Sequence, residues 1–542
     1  DGDILPYEFS TLVSDPKTRQ LLYAPVVSCT VDHIMQASEC VRGGKYIAPT
    51  LRLLTSDLVL DEPDDFDQSD LPALSRLVHM AGLYGSKVLL SSATLTPDLI
   101  AGLYQAYAAG RKIWNSHMGI NPNLPICCAW FDEYKQQQAT CTNVDQYTTA
   151  HLDFAQKRVK ELGKQQPRRR ADILPLDLPP PPENEKVDMS ALAIEVLNGA
   201  IKLHQNNSET CPNTAKQVSI GLVRMANVKP IIGLVRHLYQ QANFDADTQI
   251  HLCCYHAKQL LMLRDALERR LDRILTRVEP NAIFSQQEIQ VALRSSPAKH
   301  HIFIVVASPV AEVGRDHDYD WAIVEPSSMR SLIQLAGRVW RHRPDKVADK
   351  PNMLILDRNI LGLKGNALAF VRPGFENADF VLSSHFCKDL ISANQLANVD
   401  SVPRIIRSIE LQPKESLADL EHAVMQKLLN NRDNFVSAFW RENNGNRASA
   451  HLQKISPFRA SDGPQDDFVC LPVADDTSGY KFTYAEEAWE DLDSCTFQSK
   501  KIRFAEFKPE NDRVVPWLTA ELDEVLQELA DKRDESNLSR IA

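Results

Sequence analysis

Short apolar runs alternate with helical-period stripes twice along this 542-residue chain, and a proline-rich breaker separates the two series. Such alternation is the mark of strand–helix–strand units, whose strands lie parallel in a sheet covered by helices on both faces. In the first series, Leu58-Val59-Leu60 runs into acids and reads as a buried strand. Leu71, Leu74, Leu77, Val78 and Ala81 then follow a helical period as far as Gly85. Lys87 to Leu90 reads as the next strand, Pro97 opens a helix at its first position, and Ile126 to Phe131 reads as a further strand.

The breaker carries Arg168-Arg169-Arg170, Pro175 and the run Pro179 to Pro182. Proline continues neither a helix nor a central strand, so residues 165–187 are expected to form an extended linker. The second series has strands at Val218–Val223, Ile250–Tyr255, Ile302–Ala307, Trp321–Val324 and Met353–Leu356. Its expected helices are Pro230–Gln241, Lys258–Ile274 and Ser331–Trp340. Beyond about 400 the alternation stops, with helices expected near 416–430 and 517–532. The expected class is α/β, with two doubly wound parallel-sheet domains, the first truncated at its N-terminal side, and a mixed α+β C-terminal domain. The expected boundaries are 1–150, a linker over 151–195, 196–400, and a C-terminal accessory domain over 401–542.

Charge and cysteine usage narrow the setting. Lys plus Arg number 60 and Asp plus Glu 71, a net charge of −11 that opposes loose coating of nucleic acid and leaves only a confined groove for it. No apolar run reaches the about 18 residues of a membrane span, so no membrane partner is expected. There are eleven cysteines and no Cys-x-x-Cys, which points to buried thiols in a reducing cytoplasm rather than to a zinc ribbon.

The candidate chemistry lies after strand ends, where open α/β sheets bind ligands. Asp61 and Glu62 follow the first strand. One acid can hold a nucleotide-bound metal while the next deprotonates an attacking water. Alone this is weak, because acids follow strands in many α/β proteins. Ser92, Ala93 and Thr94 end the next strand and can hydrogen-bond the acid loop, or simply cap the following helix. Gln334-Leu335-Ala336-Gly337-Arg338-Val339-Trp340-Arg341 brings Arg338 and Arg341 three residues apart, on one face if the segment is helical. Two guanidinium groups so placed can neutralise a transferring phosphoryl group, or belong to a basic surface helix. Glu312, Gly314 and Asp316 follow another buried strand, where glycine lets backbone approach a ligand.

Taken in order, these pieces resemble the superfamily 2 helicases. Cys29 to Met35, Leu58 to Asp65 with its Asp-Glu-Pro-Asp-Asp, and Leu89 to Pro97 are similar to the helicase–nuclease of type I CRISPR systems, with the acid spelling most similar to the type I-F branch. Ile220 to Val228, Cys254-Tyr255-His256, Ala307 to Asp320 and Gln334 to Arg343 resemble its second RecA-like domain. The resemblance covers about residues 20–360 and implies two RecA-like domains and an ATP-driven translocase on single-stranded DNA, working with a nuclease domain.

It also implies roles. Asp61 would hold Mg²⁺ and Glu62 would activate water. Ser92, Ala93 and Thr94 would couple hydrolysis to strand movement. Arg338 and Arg341 would be arginine fingers, Gln334 would lie near the γ-phosphate, and Gly314, Asp316 and Gly337 would line the nucleotide. Thr30, Asp32, Arg224 and Asn227 would lie near the DNA path, although the last two could equally form a turn and a helix cap. The implied cofactors are ATP and Mg²⁺. The implied partners are single-stranded DNA and a guide-RNA surveillance complex, with the spacer-integration complex and a phage inhibitor protein as further candidates.

Two expected parts are absent from the sequence. Gly44-Lys45 is followed by Tyr46 and Gly163-Lys164 by Gln165, so neither is a Gly-x-x-x-x-Gly-Lys-Ser/Thr phosphate loop. No His-Asp nuclease cluster is visible either. The chain is therefore read as the C-terminal portion of a longer protein, and the strands near Leu58 and Leu89 are expected to expose an edge or an apolar face. Two alternatives stay open: another superfamily 2 helicase, or a docking module without turnover.

Overall fold

The computed structural model describes residues 16–39, 44–179, 181, 187–279, 281–312, 314–430, 456–459, 468–472, 480–484, 509–519 and 522–533. The first α/β unit holds β1 (Leu58–Asp61) and β2 (Val88–Ser91), paired in parallel with Leu58 opposite Val88. Helix Leu71–Leu83 connects them, and helix Pro97–His117 follows β2. These two helices cross with glycine at the contact. A Cβ on Gly82 would lie 2.4 Å from the Tyr107 carbonyl oxygen, and one on Gly110 2.1 Å from that of His79. Thr96, whose hydroxyl accepts from Leu99 N, starts the second helix ahead of Pro97.

β3 (Ile126–Phe131) is a strand, as expected, but it forms an antiparallel hairpin with β4 (Gln136–Cys141) rather than joining β1 and β2. Its inner face packs on helix Val144–Leu162, where Tyr104 and Tyr147 stack with ring centroids 4.2 Å apart. The β1–β2 pair leaves Val59 61% and Leu89 51% exposed, an open apolar face of the kind expected there.

The larger sheet has eight strands. Along it run β12 (Val514–Pro516), β8 (Thr248–Tyr255), β9 (His300–Ala307), β7 (Gln217–Arg224), β10 (Trp321–Val324), β11 (Met353–Leu356) and β5 (Ala171–Leu174), all parallel. β6 (Glu209–Thr210) adds an antiparallel pairing to β7. Alternate residues enter two separate cores. Val218, Ile220, Phe303 and Val305 join one, while Val223, Ile302, Ile304 and Val306 join the other. The sheet is therefore covered on both faces, as all-parallel sheets require. Gly221 makes room for its β10 neighbour, since a Cβ there would meet the Trp321 ring at 2.2 Å.

Three expectations are corrected. Residues 151–195 are not a linker throughout. Helix Val144–Leu162 reaches into them, β5 pairs with β11, and helix Met189–Asn207 packs on the large sheet. Prolines forbid only their own positions, and Ala171–Leu174 ends just before Pro175. The region beyond 400 is not wholly separate either, because β12 extends the second sheet beside β8 and helix Leu417–Asn430 packs on helix Pro97–His117. Finally, helix Met329–Ala336 ends at Gly337 instead of running to Trp340. Trp340 has φ +50°, and Val339 bridges back to Tyr319, so Arg338 and Arg341 do not share a helical face. Among the described residues no helix is long and apolar enough to cross a membrane.

Candidate functional site

The acid loop after β1 and the turn after helix Met329–Ala336 face one cavity of about 1600 Å³. Asp61, Glu62, Asp65, Ala93, Thr94 and Thr30 line it from the first unit. Gly314, Gln334, Gly337, Arg338 and Arg341 line it from the second. Sequence-distant residues thus converge on one cleft between the two α/β units.

The loop is a tight turn. Glu62 has φ +48°, left-handed for a residue with a Cβ, and Pro63–Asp65 form a single 3₁₀ turn behind it. This turn points Glu62 toward the cleft and Asp64 into the protein. Burial pushes the Glu62 carboxyl up from its ordinary range, the nearby Ser92 hydroxyl opposes this, and the charges of Asp64, Asp65 and Asp61 add to it. A raised carboxyl is a better proton acceptor for water. Burial also raises Asp65, whose carboxylate accepts a hydrogen bond from the Gln334 amide across the cleft.

Asp64 is the hub of the loop, and it is almost fully buried. Ser92 Oγ donates to Asp64 Oδ1 at 2.7 Å, and Thr94 Oγ1 donates to Oδ2 at 2.6 Å. Arg404 Nη2 donates to Oδ2 at 3.2 Å. Burial alone would raise this carboxyl, but the Arg404 charge and the two hydroxyls hold it below the carboxylate range. The Ser92–Thr94 segment therefore does bond the acid loop, through Asp64.

Across the cleft, Arg338 Nη2 donates to the Glu312 carbonyl, while its Nε is buried without a partner. Arg341 pairs with Asp316, whose other carboxylate oxygen lies 3.1 Å from His342 Nε2. Asp316 lies outside the cavity lining and pairs with Arg341, which is part of it. Gly314 has φ +66° and open space where a Cβ would be. Gly337 ends the helix with φ −60°, so its role is the turn itself. Arg168 Nη2 and Arg169 Nε donate to the carbonyls of Trp340 and Val339 at 2.8 and 3.0 Å, fixing the same turn. Arg168 and Arg169 thus hold this turn from inside the segment expected to be a linker, which their position in the sequence did not signal.

The expected DNA-path residues scatter. Arg224 is fully buried. It pairs with Glu312 and donates to Glu325 O at 2.7 Å and Ser327 Oγ at 2.9 Å, so it has no surface to offer a strand. Asn227 precedes helix Val228–Tyr239 without capping it and reaches Arg372 O at 3.5 Å. Asp32 begins helix Asp32–Glu39 and pairs with Arg459 at 3.2 Å. Thr30 shares the cavity with the acids rather than a separate groove. Trp340 is buried and packs with Lys346 over its ring.

Among the described residues no three His, Cys, Asp or Glu side chains form a metal cage. Magnesium on a nucleotide is held by one or two carboxylates together with phosphate oxygens and water. Asp61 at the cavity edge can supply such a carboxylate. Sequence reasoning missed Arg330, Arg404 and Glu421. Arg330 Nη1 donates to the Asp64 carbonyl, binding helix Met329–Ala336 to the acid loop. Arg404 and Glu421 lie in the motif-poor region beyond 400, with no local signal to mark them.

A sequence profile described as "CRISPR-associated nuclease/helicase Cas3, C-terminal" matches residues 217–344. The chain is 42% identical over 526 residues to the CRISPR-associated nuclease/helicase Cas3 subtype I-F/YPEST of Pseudomonas aeruginosa, covering 95% of this chain and 47% of that protein. It is 44% identical over 482 residues to the protein of the same name from Pectobacterium atrosepticum, covering 86% of this chain and 43% of that one. The chain thus spans about half the length of the curated relatives it matches. A crystal structure of T. fusca Cas3 with AMPPNP is similar at 18% identity and a TM-score of 0.41, over 63% of this chain and 34% of that one.

Proposed function

Because the chain belongs to the family of CRISPR-associated Cas3 nuclease/helicases, subtype I-F, we propose that it is the motor portion of a longer enzyme that moves along single-stranded DNA by hydrolysing ATP while a nuclease domain degrades the strand. The observation that carries this reading is the cleft itself, with Asp61 and Glu62 from one α/β unit facing Gln334 and Arg338 from the other. In a phosphoryl transfer the protein mainly positions groups and stabilises charge. Asp61 would hold magnesium, which neutralises phosphate charge when bound. Glu62 takes a proton from the attacking water. Gln334, tied to Asp65, orients groups at the terminal phosphate. Arg338, with its unpartnered Nε, and Arg341 meet the charge that develops there. Asp64 passes the state of the loop to Ser92 and Thr94, and so to the helix that follows β2. The phosphate loop comes from the part of the longer protein outside this chain, and that part covers Val59 and Leu89. Its partner is a type I guide-RNA surveillance complex, and the enzyme acts in the cytoplasm. A spacer-integration complex and a phage inhibitor protein are further proposed partners.

The test is ATP hydrolysis by the full-length protein with and without single-stranded DNA. Stimulation by DNA and not by RNA supports the reading, and Arg338→Ala should remove it while sparing DNA binding. Preferential stimulation by RNA would favour another superfamily 2 motor. The alternative reading is a docking module without turnover. That reading wins if the full-length protein binds DNA but does not hydrolyse ATP.

A further inference from the structure

Arg404 and Glu421, both in the region beyond 400, are buried together between the two cleft walls. Arg404 reaches three partners at once. Its Nη2 donates to Asp64 Oδ2 at 3.2 Å, its Nε to the Thr94 carbonyl at 3.3 Å, and its Nη1 to Glu421 Oε2. Glu421 uses its other oxygen on the second wall, where Oε1 accepts from the backbone N–H groups of Met329 and Arg330. Those two amides open helix Met329–Ala336, which carries Gln334 and leads into Gly337 and Arg338. The first amides of a helix lack partners within it and carry partial positive charge, so a buried carboxylate is a strong ligand for them.

A continuous path therefore runs from Asp64 through Arg404 and Glu421 to the start of that helix. The segment bearing the pair is itself docked on the first unit. Arg407 pairs with Asp98 at 3.0 Å, and a Cβ on Gly102 would lie 3.0 Å from Leu429 Cβ. We propose that Arg404 and Glu421 are positioning residues through which the C-terminal segment sets the separation of the acid loop from helix Met329–Ala336, and hence when Gln334 and Arg338 engage the nucleotide. This rests on the reading of the cleft as an ATP site. The chemistry supports a bridge rather than mere core filling. Arginine presents several donors in a rigid fork and so holds two carboxylates at a fixed distance, which a lysine ammonium on a flexible stem does not. A misplacement of about 1 Å far from the reacting atoms can cost about 100-fold in rate.

Glu421→Gln is the first variant, because a neutral amide is a weaker acceptor for the Met329 and Arg330 amides and carries no charge to face Arg404. Arg404→Lys is the second, keeping the cation but not the fork. In the full-length protein, both are expected to melt cooperatively and bind single-stranded DNA as wild type does. Their kcat for DNA-stimulated ATP hydrolysis should fall by about tenfold or more, with a much smaller change in KM for ATP. Hydrogen exchange should show amides 329–330 and the loop 62–66 losing protection together in both variants. Wild-type kcat in both variants would overturn the proposal, as would loss of protection at only one wall. If the wild-type protein itself does not hydrolyse ATP, the proposed function fails, and the exchange pattern alone then decides whether the two walls are bridged.

Discussion

Thr94 and Asp64 are joined by a hydrogen bond of 2.6 Å from Thr94 Oγ1 to Asp64 Oδ2, which fastens the loop after β1 to the end of β2. Ser92 adds a second bond to the other carboxylate oxygen, so the loop that presents Glu62 cannot shift without moving the segment that leads into helix Pro97–His117.

Removing either hydroxyl should therefore loosen the loop. Thr94→Ala takes a bond from a charged, buried acceptor, which costs about 1.5 to 3 kcal/mol. Because Ser92 and Arg404 remain on the same carboxylate, the losses in Thr94→Ala and Ser92→Ala should be non-additive. A double-mutant cycle in urea checks this. In the full-length protein the double variant should keep ATP hydrolysis but lose strand movement per ATP.

Glu62→Gln should lower ATP hydrolysis by about 100- to 10,000-fold, as expected for loss of a general base, while leaving nucleotide binding intact. The acid limb of the pH–rate profile should report a carboxyl titrating above the ordinary glutamate range, since burial and three neighbouring acids raise Glu62. The base works deprotonated, so activity falls as pH drops through that raised value. A profile flat to the ordinary glutamate range would assign the base to another residue.

Arg338 and Arg224 should fail in different ways. Arg338→Ala should reduce stimulated hydrolysis by about 1,000-fold or more, the worth of an arginine finger, with little change in stability. Arg224→Ala should destabilise by about 3 to 5 kcal/mol, because it leaves Glu312 buried without its partner. Any variant of Arg224 that folds should bind DNA with an unchanged salt dependence, since it contributes no phosphate contact.

The second sheet carries an acid-sensitive cluster at the N-terminal ends of its strands. His251 Nε2 meets His301 Nδ1 at 3.0 Å, and His204 Nδ1 meets Ser219 Oγ at 2.7 Å. Burial holds His251 down to about 3, and His204 and His301 to about 4. These rings are neutral in the fold, whereas in the unfolded chain they titrate at about 6.5. Their contribution to stability is therefore whole above about pH 6.5 and is lost progressively as pH falls toward 4, because the unfolded chain binds more protons. Urea midpoints measured from pH 7.5 to 4.5 should fall accordingly, and His251→Phe, stacked like the native ring on Phe303, should flatten the decline. An equal slope in that variant would place the acid sensitivity elsewhere.

Local pattern was enough for the two α/β units, for the strands that start near Leu58, Val88, Ile126, Val218, Ile250, Ile302, Trp321 and Met353, and for the meeting of Ser92 and Thr94 with the acid loop. Those features depend on periodicity within a strand or helix and on loops at adjacent strand ends, which a short window of sequence contains. Three-dimensional packing decided the rest. Ala171–Leu174 and Val514–Pro516 became the two edges of one sheet because neighbouring strands offered unpaired backbone, not because of their own composition. The helix before Arg338 stopped at Gly337, and Arg168 and Arg169 hold the turn that results, which redirects both candidate finger arginines. Arg224 turned inward because Glu312 is buried beside it, and an unpaired buried charge is costly. Arg404 reaches Asp64 across a separation of 340 residues. Such a buried ion pair leaves no periodic trace along the chain, because its energy exists only once both groups have been desolvated in the same place.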